Sequence, residues 1–150
     1  MAGTYTNLLF HIVFSTKRRT GLITPDIEPE LYAYIGGVIR NQGGKLLDAG
    51  GMSDHIHLLL KSKPNIALSD LIRDIKANSS KWINESKWKI RKFGWQDGFA
   101  AFTVSESQVE IVSKYIKNQK SHHRRRDFKA ELLFLLKKNH CEFDEALLWR

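Results

Sequence analysis

Two histidines stand one residue apart at the start of an apolar run, in the segment SDHIHLLLK at residues 53–61. The apolar run is typical of a buried strand. Side chains two residues apart in a strand project from the same face, roughly 7 Å apart at their Cα atoms. His55 and His57 therefore point the same way, and two neutral imidazoles on a rigid strand can form half of a metal site. Two partly buried histidines with ordinary hydrogen-bond partners would explain this pair alone equally well.

A tyrosine and a glutamine are the other residues that could take part in a reaction. They lie in the segment VEIVSKYIKNQKS at residues 109–121. The helical spacing puts Val109, Val112 and Ile116 on a core stripe, and it puts Tyr115 and Gln119 one turn apart beside that stripe. Tyr115 could act as a phenol nucleophile and Gln119 as a neutral oxygen ligand. The plainer alternatives are a tyrosine at the rim of the core and a surface amide.

Phosphoryl chemistry would suit these four residues. A metal held by two imidazoles and an amide oxygen keeps positions open for phosphate oxygens and acts as a Lewis acid. Phenol has an ordinary pKa of about 10, so it becomes a good nucleophile only where a nearby cation favours the phenolate. Its attack would leave a phosphotyrosine that conserves the energy of the phosphodiester, so strands could be cut and rejoined without an external energy source.

Other enzyme templates fit the sequence poorly. It has no glycine-rich phosphate loop, no H-E-x-x-H motif and no cysteine pair for zinc, because Cys141 is its one cysteine. The acidic residues look scattered along helices and loops, which argues against the carboxylate cluster of a two-metal nuclease. Asp54 adjoins His55, but we interpret it as a turn residue.

The charge balance favours a polyanionic partner. Lys and Arg number 24 against 16 Asp and Glu, for a net charge of +8, so nucleic acid or an acidic membrane surface is favoured over a generally basic protein without such a partner. No apolar stretch approaches the ~20 residues of a membrane helix, and we expect a cytoplasmic protein. The basic clusters KRR, KWKIRK and KSHHRRR identify as candidate DNA contacts Lys17, Arg18, Arg19, Lys89, Arg91, Lys92, Arg124 and Arg125.

The first half of the chain is predicted to contain a strand, a helix, a two-stranded hairpin and a second helix, in that order. Period-two apolar residues predict a strand over 5–16, and a helix follows over 29–44 with Pro29 in its first turn and Gly43–Gly44 at its end. Residues 45–62 predict a hairpin with its turn near Gly50–Gly51 and Asp54. A second amphipathic helix begins near Ser69.

A fourth strand over 98–105 and further helices complete the pattern. Ser105 and Gln108 have the spacing of a capping box for the third helix, and Asp127 is a plausible N-cap for a fourth. The order β-α-β-β-α-β predicts an α+β, ferredoxin-like (RRM-like) antiparallel sheet with extra C-terminal helices. We expect residues 1–150 to form a single domain.

Three segments in this order resemble the small single-tyrosine transposases of bacterial insertion sequences, the IS200-like family of the HUH (His-hydrophobic-His) superfamily. They are SDHIHLLL, WQDGFAAFTVSES and VEIVSKYIKNQKSHH. The likeness runs from Tyr5 to about Phe128.

The resemblance implies a role for each matched residue. His55, His57 and Gln119 correspond to the ligands of a divalent metal, usually Mg²⁺ or Mn²⁺, and Tyr115 to the nucleophile that becomes joined to a 5′ phosphate. It also implies a homodimer, with active sites that can be shared between subunits, acting on single-stranded DNA near hairpins in the bacterial nucleoid.

Two other functions remain open at this point. The chain could be a hairpin-binding module of the same fold without the chemistry, since ferredoxin-like sheets also build RNA-recognition domains, although no RNP-like aromatic run is present. Relaxases and replication initiators use the same nicking chemistry, but they are larger proteins.

Overall fold

A computed structural model describes residues 3–88, 90, 92–122 and 126–150, except for the side chain of His122. Four of the candidate DNA contacts, Lys89, Arg91, Arg124 and Arg125, lie outside the described residues.

The described residues form four strands and six α-helices. The strands are β1 (Leu8–Ser15), β2 (Lys45–Met52), β3 (His55–Ser62) and β4 (Ala100–Val104). The helices are α1 (Ile27–Asn41), α2 (Leu68–Asn84), α3 (Val109–Lys117), α4 (Gln119–His122), α5 (Phe128–Lys138) and α6 (Glu145–Leu148). Short 3₁₀ turns occupy Lys17–Arg19 and Glu106–Gln108.

The four strands form one antiparallel sheet in the order β2-β3-β1-β4. This arrangement and the β-α-β-β-α-β order confirm the predicted α+β, ferredoxin-like class with additional C-terminal helices. In the register of the two central strands, His57 lies opposite Val13 and His55 opposite Ser15. The paired histidines therefore lie at the start of β3, which is a central strand with β2 on one side and β1 on the other.

Helices cover both faces of the sheet. On one face, Ile12, Phe14 and Leu58 pack with apolar residues of α1 and α2 in the largest core cluster. On the other face, alternate residues of the same strands pack with the C-terminal helices, as Val13 does with Leu132 of α5 and Leu59 with Ile116 of α3. Because most residues of β1 and β3 are buried on both faces, a polar side chain buried on them must find a partner inside the protein.

The β2–β3 turn lies at Ser53–Asp54, so the glycines expected near the turn are part of β2 instead. Gly50 has a packing role, because a Cβ atom there would lie 2.2 Å from the backbone oxygen of Ile116 in α3. The missing side chain lets α3 lie directly against β2. This close approach brings the C-terminal half of α3 over the sheet.

The third predicted helix differs from the expectation at both ends. The side chain of Ser105 forms no cap hydrogen bond; a 3₁₀ turn precedes α3, and the Ser105 hydroxyl lies 3.1 Å from that of Ser107. The predicted capping box is therefore wrong. The helix ends at Lys117, so Tyr115 and Gln119 lie on consecutive helices rather than on one continuous helix. The Asp127 cap of α5 is confirmed, since its side chain accepts a hydrogen bond from the Ala130 amide.

Candidate metal and tyrosine site

The two histidines of β3 lie side by side under α3, α4 and α5. Both are 0% exposed, and their ring centroids are 5.2 Å apart. Their surroundings are polar despite this burial, because carboxylate, amide and imidazole groups contact their ring nitrogens. Burial of polar groups is costly unless they are hydrogen-bonded. A strand that buries two imidazoles among donors and acceptors therefore indicates a functional site rather than simple packing.

A glutamate of α5 faces both imidazoles. Glu131 is 1% exposed, and its Oε1 atom lies 2.9 Å from Nε2 of His57 and 3.3 Å from Nε2 of His55. One ligand atom from each of these three residues lies within 4.8 Å of the other two. Two imidazoles and one carboxylate at this spacing fit the requirements of a divalent metal ion.

The predicted glutamine and tyrosine reach the same carboxylate. Gln119 is 1% exposed, with its Oε1 atom 3.2 Å from Nε2 of His55 and its Nε2 donating to Oε2 of Glu131 at 2.9 Å. The hydroxyl of Tyr115 also donates to Oε2 of Glu131. Within a single chain, the structure thus brings together all four residues that the sequence singled out.

Each imidazole is oriented by a partner on its other ring nitrogen. Nδ1 of His55 lies 2.8 Å from Oδ1 of Asp54, and Nδ1 of His57 lies 2.8 Å from Nε2 of His11. Both rings therefore present Nε2 toward Glu131. Metal-binding histidines are commonly held in this way, with the nitrogen away from the metal in a hydrogen bond. Asp54 does lie in the turn, as predicted, but it also fixes the orientation of His55.

Burial and the nearby carboxylates set the charges in the absence of a metal. Burial opposes protonation of His55, but the hydrogen bonds and charges of Asp54 and Glu131 outweigh it and raise its pKa to about 9. Burial, with the nearby His57, lowers the pKa of His11 to about 3, so this ring is neutral at ordinary pH. Burial and then the contact with Glu131 raise the pKa of Tyr115, so its phenol keeps its proton and is a hydrogen-bond donor.

Sequence reasoning missed two residues of this cluster, Glu131 and His11. Glu131 follows Phe128 by three residues and precedes Leu132 and Leu135, which places it on the buried stripe of α5. A carboxylate on an apolar helical stripe was the available signal. His11 lies on the second face of β1, between Leu9 and Val13, and that face is also buried.

Three of the candidate DNA contacts in the described part of the chain lie near one end of the sheet. Lys17 and Arg18 are exposed and Arg19 is partly buried, in the 3₁₀ turn that directly follows β1. This turn is close to the start of β3, because the Thr16 amide donates to the Asp54 carbonyl. Lys92 is exposed as well. Their proposed contacts with DNA remain a prediction.

The fold and the cluster together define an α+β protein with a candidate metal centre beside a tyrosine. Comparison with known proteins identifies the family. Residues 4–119 match the family model described as "Transposase IS200 like", so the chain belongs to the IS200-like transposases. The matched segment includes His55, His57, Tyr115 and Gln119 and ends before Glu131.

Individual relatives are of similar length. The chain is 25% identical over 117 residues to the ISDra2 transposase TnpA of Deinococcus radiodurans, with 75% of this chain and 84% of the relative covered. It is 28% identical over 125 residues to the transposase for insertion sequence element IS200 of Salmonella typhimurium, with 79% and 81% covered.

Solved structures share the fold. A structure from Deinococcus radiodurans described as a transposase superposes with a TM-score of 0.65 at 22% identity, covering 79% of this chain and 95% of that one. A REP-associated tyrosine transposase bound to a REP hairpin superposes with a TM-score of 0.60 at 16% identity, covering 82% and 73%. No helix among the described residues is long and apolar enough to cross a membrane.

Proposed function

We propose that this chain is a metal-dependent transposase that nicks and rejoins single-stranded DNA near hairpins through a covalent link between Tyr115 and a 5′ phosphate. The observation that carries the proposal is the convergence of the Tyr115 hydroxyl and the two imidazoles on one buried carboxylate. Membership of a transposase family supports it. Hairpin DNA as a partner is supported by the relative of the same fold that is bound to a REP hairpin.

The metal would be held by Nε2 of His55 and His57, with Glu131 and the amide oxygen of Gln119 as further ligands. Imidazoles alone favour zinc and other transition metals, whereas a carboxylate and an amide oxygen suit Mg²⁺ and Mn²⁺. The presence of Glu131 therefore strengthens the case for Mg²⁺ or Mn²⁺. When bound, the cation would supply Lewis-acid polarisation of the scissile phosphate.

Tyr115 and Glu131 would carry out the proton transfer. The phenol already donates to Oε2 of Glu131, while Oε1 of the same carboxylate faces the imidazoles. As the Tyr115 oxygen forms its bond to phosphorus, its proton passes to Oε2, and the bond from phosphorus to the 3′ oxygen breaks. The 3′ oxygen leaves with the bonding electron pair and takes a proton from solvent to become a hydroxyl. Attack of a 3′ hydroxyl on the phosphotyrosine reverses these steps and rejoins DNA.

The family also implies a homodimer, which we retain as part of the proposal. Among the described residues, the Tyr115 ring packs against His57 of its own β3, so we expect this placement to be one of the arrangements that a dimer can use. An exchange of tyrosine helices between subunits would be a second.

Detection of the covalent intermediate tests the function directly. The chain is incubated with end-labelled single-stranded DNA that contains a hairpin and its flanks, with Mn²⁺, Mg²⁺ or EDTA. We expect a shifted protein–DNA band that requires the metal and disappears in Tyr115→Phe and in His55→Ala. Hairpin binding without any adduct, unaffected by EDTA or by His55→Ala, would instead identify a non-catalytic binding module.

A further inference from the structure

A pocket of about 420 Å³ opens beside Tyr115, between β4, α3 and α5. We propose that this pocket, named the side pocket here, binds a nucleobase of the DNA strand whose phosphate is attacked by Tyr115. The proposal rests on the proposed function and adds to it a base-binding site next to the nucleophile.

The side pocket adjoins the candidate active site, and the two share wall residues. Tyr115 and His11 both line it, and the same two residues contact Glu131 and His57 on the other side. Tyr115 therefore forms part of the boundary between the cluster of ligands and the side pocket. A strand whose phosphate reaches the tyrosine hydroxyl has the side pocket within reach of its neighbouring nucleotide.

The walls suit the flat faces and polar edges of a base. Two large apolar side chains line the opening and remain exposed, Ile111 of α3 at 62% and Phe134 of α5 at 44%. An exposed aromatic ring beside a groove is the usual platform on which an unpaired base stacks. Gln108 and Asn139 also line the pocket, and side-chain amides can hydrogen-bond to base edges.

Charge favours DNA over a second copy of the chain as the occupant. Among the described residues that line the side pocket, Lys138 is the one with a formal charge. The Arg126 guanidinium lies 4.6 Å and the Lys138 ammonium 5.9 Å from the centre of the Phe134 ring. A cationic rim on a protein of net charge +8 attracts a phosphate backbone more strongly than the equally basic surface of a second copy.

Part of the side pocket comes from outside the segment that matches the family model. The family match ends at residue 119, whereas Phe134, Lys138 and Asn139 belong to α5 and the residue that follows it. A base in the side pocket would thus contact both the family segment, through residues such as Gln108, and α5, through Phe134.

The test compares DNA with and without bases. The full chain carrying Tyr115→Phe is titrated in EDTA, by fluorescence anisotropy, with labelled single-stranded 10-mers of deoxythymidylate, of deoxyadenylate and of abasic deoxyribose phosphate. We expect one of the two base-containing strands to bind at least tenfold more tightly than the abasic strand. Adding Phe134→Ala should remove most of that difference, whereas Lys138→Ala should weaken binding of all three strands to a similar extent.

Matched controls separate the side pocket from general effects. Lys137→Ala removes an adjacent exposed cation of α5 that does not line the side pocket, and it should weaken binding less than Lys138→Ala. Circular dichroism melting of each variant checks the fold. As an independent readout, a 10-mer with 5-iododeoxyuridine is irradiated, and the cross-linked peptide is expected to contain Phe134.

Three results would overturn the side pocket as a base-binding site. They are an unchanged base preference in Phe134→Ala, cross-links confined to other peptides, and a change from dimer to monomer in Phe134→Ala by sedimentation, which would assign the surface to a second copy. None of them would remove the metal-dependent adduct of the wild-type chain. Conversely, a chain that forms no adduct but loses its base preference in Phe134→Ala would retain the side pocket and lose the proposed function.

Discussion

One carboxylate, that of Glu131, contacts four side chains of the candidate site, His55, His57, Tyr115 and Gln119. A buried charge is costly unless it is paired and hydrogen-bonded, and here each carboxylate oxygen has two partners. A position with so many polar partners on an otherwise apolar helical stripe is typical of function rather than of packing.

Glu131→Gln keeps the shape of the side chain and removes its charge. We expect the affinity for Mn²⁺, measured by electron paramagnetic resonance of the free ion, to fall more than tenfold, since even outer partners of a metal contribute ~10–100-fold. The adduct with DNA should fall with it. Glu142→Gln, a change at an exposed residue, is the control. Unaltered Mn²⁺ binding by Glu131→Gln would exclude the carboxylate from the metal site.

His11 should act on the metal through His57. If Nε2 of His57 binds the metal, Nδ1 must carry the hydrogen and donate it to Nε2 of His11, which lies 2.8 Å away. His11→Phe fills the space without an acceptor, and we expect it to lower Mn²⁺ affinity by about 10–100-fold. His11→Gln, which offers an amide oxygen, should recover part of the loss. Equal effects of the two substitutions would mean that His11 only packs.

The raised pKa of His55 predicts a pH dependence for the metal-free protein. The folded chain holds this proton up to a pKa of about 9, whereas an unfolded histidine loses it near pH 6.5. The resulting stabilisation is complete below pH 6.5 and is lost as the pH rises through 9. Urea unfolding in EDTA should show this decline, and His55→Asn should reduce it.

A metal should have the opposite pH preference. Because coordination requires the neutral imidazole, the affinity for Mn²⁺ should increase as the pH rises from 6.5 toward 9. If unfolding in EDTA shows the same pH dependence in wild type and in His55→Asn, then the proton of His55 is not held as described.

At the level of secondary structure, the strands and most of the helices follow from local pattern. The period-two apolar residues of β1 and the apolar stripe of α2 predict a strand and a helix from local sequence alone, whatever packs against the buried faces. The break between α3 and α4 could not be predicted, because residues 109–121 continue the helical pattern without interruption. Gln119 contacts both His55 and Glu131, and these tertiary contacts outweigh local helix propensity.

The residues of the site could be predicted only in part, because tertiary packing brings some of them together from remote parts of the sequence. His55, His57, Tyr115 and Gln119 lie in segments whose spacing points to chemistry. Glu131 and His11 interrupt otherwise ordinary apolar patterns, and their partners are remote in sequence. Only the packing of α5 against the sheet shows that Glu131, which is surrounded by leucines in the sequence, contacts His55 and His57.

Gly50 controls the distance between α3 and the sheet. In Gly50→Ala, the new methyl group would lie 2.2 Å from the Ile116 carbonyl oxygen, so α3 must move outward and carry Tyr115 with it. We expect a loss of about 1–3 kcal/mol in the free energy of unfolding in urea, as is usual for overpacking, together with less covalent adduct.

Gly36→Ala in α1 is the matched control for this change. Its Cβ atom would lie 3.6 Å from the nearest atom, in the Leu46 side chain, which is an ordinary contact, and alanine favours a helix over glycine. This variant should be as stable as the wild type or slightly more so. A Gly50→Ala protein of unchanged stability and activity would show that α3 is not held by this approach.

At the scale of the whole molecule, the net charge of +8 makes salt dependence the appropriate measure of DNA binding. Removal of one cation that pairs with a phosphate of single-stranded DNA should reduce the slope of log affinity against log salt by about 0.7. The double variant Lys17→Ala/Arg18→Ala should therefore reduce it by about 1.4, if both residues of this turn bind phosphates. The measurement is a titration of labelled single-stranded DNA at several salt concentrations.

Lys45→Ala/Lys61→Ala removes two exposed lysines that pair at the far end of the β2–β3 ladder from His55. It changes the net charge by the same amount, so it is the control for long-range attraction. If the two double variants reduce the slope equally, net charge alone accounts for binding and the turn at Lys17–Arg19 has no special role.

The location of Glu131, downstream of the family segment, has a consequence for biosynthesis. A ribosome makes both histidines, the tyrosine and the glutamine before it reaches codon 131. Chains that end early, through a nonsense mutation or abortive translation, would carry the nucleophile but lack the carboxylate that faces it. We expect such fragments to be unable to cleave host DNA efficiently, so the activity of the proposed enzyme would be restricted to chains that have been translated at least through α5.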